Sequence, residues 1–272
     1  MLVSLTFIIL GTAAAVATLY LVRRFLAPSG SYFRSLPAAP DIFGVVGTSF
    51  AVLLAFVIFS TFDSYHNARE SAGTESVAVR QLFSTAEFFP SADRDALQRE
   101  LICYGRSVVH DEWPRMAEGG ESPAVVHWLD QMDDSVQTIP VDDHRAGAAL
   151  HNWFAQSQAR QEGRRGRIAE AAPFVPGFVW GVLIALLVLV VAVQILFADP
   201  DVPLLPQTAT VIGVAASLVA GLTLVWILDR PFNDRGAAIA PTRMTATVQT
   251  MEQAYGSGAK PLPCDAGGQP TG

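Results

Sequence analysis

At 272 residues, 51% of them hydrophobic, the chain is long enough for one sizeable domain or for several membrane helices with a water-exposed part. Its net charge of −7 excludes the basic footprint of a nucleic-acid binder. Two cysteines, Cys103 and Cys264, offer neither a metal-ligand spacing nor a disulfide framework, and they read as a buried thiol and a tail thiol.

Four apolar stretches carry no Lys, Arg, Asp or Glu: Leu2–Val22, Ile42–Phe62, Phe174–Ala198 and Gln207–Leu228. Each is about 20 residues long, enough to span a hydrocarbon core of ~30 Å as a helix. The first lacks a basic leader and is followed by Arg23 and Arg24, so it reads as an anchor rather than a cleaved signal. The second span carries a small-residue stripe, Gly47, Ala51 and Ala55, beside a large apolar stripe, Val46, Phe50, Leu54 and Val57. The large stripe is either ordinary helix or lipid contact or, in an oligomer, the lining of an apolar constriction.

Past this span, Tyr65, Ala68, Ala72, Val79, Leu82 and Ala86 continue at helical spacing, which predicts one long helix ending before Pro90. Ser91 is placed to cap the next helix, whose face is Leu97, Leu101, Tyr104 and Val108 and which Pro114 should kink or close. Glu118-Gly-Gly-Glu121 reads as a loop, Ser122-Pro123 as a helix start, and the following helix runs through Trp128 and Met132 to before Pro140. A last helix is predicted from Asp142 to Ala171. After the fourth span, Ile239, Met244, Val248, Met251 and Tyr255 form a short apolar stripe suited to packing on the bundle. Residues from about Gly256 are rich in Gly and Pro and are expected to be disordered.

The fold expected is all-α: a polytopic membrane protein with four transmembrane helices and a cytoplasmic helical bundle inserted between the second and third. The parts are a first helix pair (1–62), the bundle (63–173), a second pair (174–228) and a tail (229–272). The bundle is acidic, with eighteen carboxylates against eleven arginines. Nine arginines lie near the membrane on the side shared by the bundle and both termini, Arg69 to Arg243, against Arg23, Arg24 and Arg34 on the other. That asymmetry places the bundle and both termini in the cytoplasm, at the inner membrane. The short second loop offers only Asp199 and Asp201.

Glu75 stands where the long helix should be apolar. A buried carboxylate needs a partner. Counting equal heights from Phe62 and Phe174 selects Arg160 or Arg164, which share a face with Arg167. The pair is either a registry-setting bridge between helices or a charged gate. Asp63 and Asp229-Arg230 fall at span ends and are suited to pair with each other as helix anchors or ion contacts. Enzyme signatures are absent: there is no nucleophile elbow, phosphate loop or zinc-protease motif. Asp142-Asp143-His144 with His151 reads as an acidic helix start rather than a metal site. No cofactor is expected.

Phe56 with Tyr65…Ala68 and Glu75, Tyr104 with Glu112-Trp113-Pro114, the arginines before Pro176, and Arg230-Pro231-Phe232 occur in an order that resembles a bacterial bestrophin-like family of unknown function. The segment Ser49-Phe50-Ala51-Val52-Leu53-Leu54-Ala55-Phe56 is more distantly similar to the pore helix of bestrophin anion channels. That resemblance implies a homopentamer with the second span around a central axis and Val46, Phe50 and Leu54 at an apolar neck; no acidic calcium clasp is evident. The function it implies is a homo-oligomeric channel passing small anions past that neck. The alternative is a non-conducting membrane-anchored sensor or scaffold whose bundle binds a partner protein.

Overall fold

The computed structural model describes residues 2–26, 39–141, 144–196, 203–233, 237–256 and 260–271. Arg34, Asp142, Asp143, Asp199, Asp201 and Arg235 lie outside them. The described residues form α1 (Leu2–Leu21), α2 (Ala39–Thr85), α3 (Ser91–Ser107), α4 (Trp113–Met116), α5 (Pro123–Gln137), α6 (His144–Ala169), α7 (Gly177–Leu196), α8 (Leu204–Leu228) and α9 (Thr242–Tyr255), with no strand beyond one isolated bridge. The protein is an all-helical membrane protein: four of its helices are long and apolar enough to cross a bilayer.

The chain divides into two compact units, with α2 contributing to one through Ser64 and to the other from Tyr65. The first unit holds α1, the beginning of α2, α7 and α8. Phe50, Leu54 and Val57 of α2 are buried with Leu183 and Val190 of α7 and Val225 of α8. Leu19 of α1 is buried with Ile195, Val211 and Ala215. Hydroxyls within these helices donate to their own backbone: Thr12 to the Ile8 carbonyl at 2.7 Å, Ser49 to Val45 at 2.8 Å and Thr61 to Val57 at 2.9 Å. Such bonds satisfy polar groups where no water can.

The second unit is built on the rest of α2, α3 to α6, α9 and the tail. Its core runs from Ala68, Val79 and Leu82 of α2 to Leu97, Leu101 and Tyr104 of α3, Trp128 and Met132 of α5, Trp153 of α6, and Met244, Val248 and Met251 of α9. Several boundaries differ from the sequence expectation for physical reasons. Ser91 is the first helical residue and Pro90 the cap, because the Pro90 carbonyl already accepts from the Arg94 N–H at 2.9 Å. The helix does not close at Pro114. It widens into a π-helical turn at Val108–Glu112, and Pro114 falls in the first turn of α4, where its missing N–H is not needed. Gly119, with φ 80°, then ends α4 by donating to the Met116 carbonyl at 3.0 Å. Ser122 caps α5, accepting from the Val125 N–H at 3.2 Å, with Pro123 in the first turn.

The tail corrects two expectations. Residues 260–271 are not disordered: they fold into a turn in which Thr271 donates to Pro263 at 3.0 Å and Trp128 Nε1 donates to the Gly268 carbonyl at 2.7 Å. Nor are the cysteines separate thiols. Cys264 is joined to Cys103 of α3 by a disulfide across 161 residues of sequence. A separation of that length leaves no spacing signal to read.

Candidate functional site

The polar centre of the second unit is built where α2, the π-helical turn after α3, and α6 bring charged side chains together. Glu75 of α2 is fully buried, as its place in the stripe requires. Gly163 of α6 lies directly against it, so close that a Cβ there would stand 2.5 Å from the Glu75 nitrogen. Glu112 enters from the π-helical turn, also fully buried. The extra residue in that turn re-aims the chain, so that Glu112 points inward while Asp111 bonds Arg115 and Ser122 at the rim.

Arg167 joins the two carboxylates. Its Nε donates to Glu75 Oε2 at 2.6 Å, and its Nη2 donates to Glu75 Oε1 at 2.9 Å and to Glu112 Oε2 at 2.7 Å. Its Nη1 lies 2.9 Å from the Met116 sulfur, and the guanidinium sits over the Trp113 ring, 5.1 Å from the centroid. Tyr104 donates to Glu75 Oε1 at 2.6 Å. Arg164, at the edge, pairs with Glu112 at 2.5 Å and with the exposed Glu121 at 3.1 Å. The expected partner of Glu75 is thereby corrected from Arg160 or Arg164 to Arg167. Counting heights found the right backbone level, Gly163. Side chains on a helix tilt toward its N-terminus, however, so the reaching residue is one turn further along.

Arg160 takes a different place. It is buried, lies over the Tyr104 ring at 5.4 Å, and its Nε and Nη1 have no hydrogen-bond partner among the described residues. Burial pushes the Glu112 carboxyl up, but the charge of Arg167 and the bonds from Arg164 outweigh it and hold the group below its ordinary range. Burial pulls the Arg167 guanidinium down; Glu75 and Glu112 more than restore it. Burial and the neighbouring Glu75 push the Tyr104 phenol far above its usual value, so it remains a donor. Glu112, Arg167 and Tyr104 are each thus held in one protonation state near neutrality. The arrangement suits a charged latch between helices rather than an acid–base pair.

The latch rests on a second layer. Trp113 Nε1 donates to the Ile239 carbonyl at 2.8 Å, and its ring meets Phe232 edge-on at 5.4 Å. The Trp-Pro and Arg-Pro-Phe pieces of sequence therefore meet in one place. Neither Glu112 nor Arg167 was selected by patterning alone. Glu112 lies past a change of helical period, and Arg167 is one of several arginines on the same face.

The other candidates are dispersed. Phe50, Leu54 and Val57 are buried in the first unit and Val46 is half-buried against the same cluster. Phe50, Leu54 and Val57 thus pack into the interior of the chain, with Val46 at the edge of that cluster. The open side of α2 instead shows Val45, Val52, Phe56 and Phe59. Asp63 is exposed near the end of that stretch, and Arg230 is partly exposed in the turn after α8. Asp229 accepts from the Val175 N–H at 2.7 Å. Among the described residues no three His, Cys, Asp or Glu side chains are arranged to hold a metal ion, and His144 and His151 are exposed.

A family model described as a Bestrophin-like domain matches residues 9–242. The chain is similar to a bacterial bestrophin homologue from Klebsiella pneumoniae, solved as a single-residue variant, with a TM-score of 0.67 at 14% identity over 93% of this chain and 99% of that one. A second crystal structure of a Klebsiella pneumoniae homologue gives a TM-score of 0.66 at 14% identity, covering 96% and 99%. A structure described only as a membrane protein variant gives 0.67 at 15% identity, covering 94% and 99%. At such identities the likeness speaks for the fold. No curated relative matches the chain.

Proposed function

The chain belongs to the Bestrophin-like family, and on that premise we propose that it is a homo-oligomeric channel through which small ions pass passively, small anions being the class that the resemblance implies. The observation that carries the reading is the open face of α2. Val45, Ser49, Val52, Phe56 and Phe59 recur at helical spacing, and Val52, Phe56 and Phe59 are 66%, 68% and 69% exposed. Repeated around an axis, that face would present an apolar neck two residues off the buried Phe50 and on the opposite side of the helix. Asp63 continues the same face, so its charge would stand at one end of the neck.

The bundle and both termini belong, in this reading, to the cytoplasm of a cell with the chain in its inner membrane. The arginine asymmetry supports that placement. The test is planar-bilayer recording of purified oligomer. We expect current in the wild type and a several-fold larger conductance for Phe59→Ala, while Phe50→Ala acts only through stability. Asp63→Asn is expected to move the reversal potential toward that of chloride. A monomer by native mass measurement, or silence under every gradient, overturns the proposal.

A further inference from the structure

Beside the charged latch, the second unit holds a cavity of about 300 Å³. Tyr65, Arg69, Trp113, Ile239, Thr242 and Arg243 line it. Two of these are arginines, and none of the lining residues is acidic. Arg243 lies across α2 at Gly73, where a Cβ would collide with its guanidinium. Gly73 is one helical turn beyond Arg69 on the same helix, and both arginines line the cavity. Neither makes an ion pair or hydrogen bond among the described residues. In the neighbouring latch, by contrast, Arg164 and Arg167 are matched by Glu75, Glu112 and Glu121.

Both arginines are exposed residues on the lining of one concavity whose lining holds no acidic residue, so the concavity is positively charged and attracts an anion. Arginine presents a planar fork of donors that fits a tetrahedral or carboxylate oxyanion. The volume admits a phosphate with a small substituent and is too small for a nucleotide or a peptide. Tyr65 and Trp113 give the substituent an apolar wall. We propose that this cavity is a binding site for a phosphate group, held between Arg69 and Arg243. The phosphate has two sources of the same chemistry, a small soluble ester and an anionic phospholipid headgroup. The second is in reach because Tyr65 follows Phe62, the end of the apolar run, by three positions on the same helix. The site stands independently of conduction.

The experiment uses the full chain in phosphatidylcholine nanodiscs, titrated with inorganic phosphate by calorimetry, and a second set of discs containing phosphatidylglycerol. We expect saturable phosphate binding that Arg69→Ala/Arg243→Ala weakens at least about tenfold, since each arginine supplies charge-assisted bonds. Gly73→Ala, which keeps both charges but displaces Arg243, should also weaken it, and Arg80→Ala should not. If the headgroup is the occupant, phosphatidylglycerol discs lower the apparent phosphate affinity of wild type and not of the double variant. If a soluble ester is, the two discs give the same isotherm. Circular dichroism and monodispersity keep the variants interpretable, because neither arginine has an internal partner to lose. Equal phosphate affinity in wild type and double variant, or no binding of phosphate together with no effect of phosphatidylglycerol, overturns the proposal.

Discussion

Arg167 carries a larger share of the latch than Arg164, although both touch Glu112. Arg167 is fully buried and answers two carboxylates; Arg164 keeps 13% of its side chain in solvent. Removing Arg167 leaves Glu75 and Glu112 facing each other's field in a dry interior. Arg167→Ala is expected to cost about 3–5 kcal/mol, and Arg164→Ala less than half of that. Thermal unfolding in detergent ranks the two, and equal losses would show that the interior is wetter than the geometry implies. Glu100 gives a separate, pH-dependent signature. Burial pushes its carboxyl up from 4.5 to about 7, against a bond from Ser135 and the charge of Arg99. The folded chain therefore keeps a proton that the unfolded chain has already released. Stability should fall as pH rises from 4.5 to about 7 and then level off, a loss on the order of 3 kcal/mol at most. Glu100→Gln should flatten that slope; an unchanged slope would assign it to another group. At this scale the sequence was half legible. A carboxylate inside an apolar stripe announces Glu75, but its partner depends on side-chain tilt, which spacing alone does not encode.

At the scale of elements, α6 can approach α2 because it has no side chain where they meet. Gly163 is the contact at Glu75, and Gly166 sits against Ser71. Alanine is ordinarily the better helix former by about 1 kcal/mol. Gly163→Ala is nevertheless expected to destabilise by about 1–3 kcal/mol, because its methyl would strike backbone that cannot move aside. Gly147→Ala in the same helix meets only Val141 at 3.6 Å and should gain stability. Opposite signs for these two substitutions in one melting series would place the cause in the helix contact. The helices themselves were legible, since uninterrupted apolar runs and the stripe from Tyr65 to Ala86 fix period and length. The two faces of the second span were not. Its large stripe is apolar on both sides, and only packing decides that Phe50 turns inward and Phe56 outward. The π-helical turn was equally hidden, because an inserted residue changes the period without changing composition.

The whole molecule poses a question of side. Nine basic residues against three predict a cytoplasmic bundle, whereas the bond between Cys103 and Cys264 is of a kind that persists in oxidising compartments. The two can be weighed physically. Charge bias acts while the chain inserts, before any long-range pairing exists, so it sets the compartment and the compartment then sets the redox state. The tail, moreover, does not depend on the bond for its position. Arg106 Nη1 donates to the Asp265 carbonyl at 3.0 Å, Trp128 Nε1 to Gly268 at 2.7 Å, and Lys260 pairs with Asp95 at 3.0 Å. These contacts would hold the two sulfurs together whether or not they are joined. We therefore expect the pair to be reduced in growing cells and to close when a thiol oxidant is added. Acid quenching of whole cells, followed by denaturation and maleimide labelling, reads this directly. Two adducts per chain without reductant, lost after oxidant treatment, fit a cytoplasmic bundle. No adducts until a reductant is supplied would place the bundle and both termini on the opposite side of the membrane and reverse the orientation drawn from the arginines.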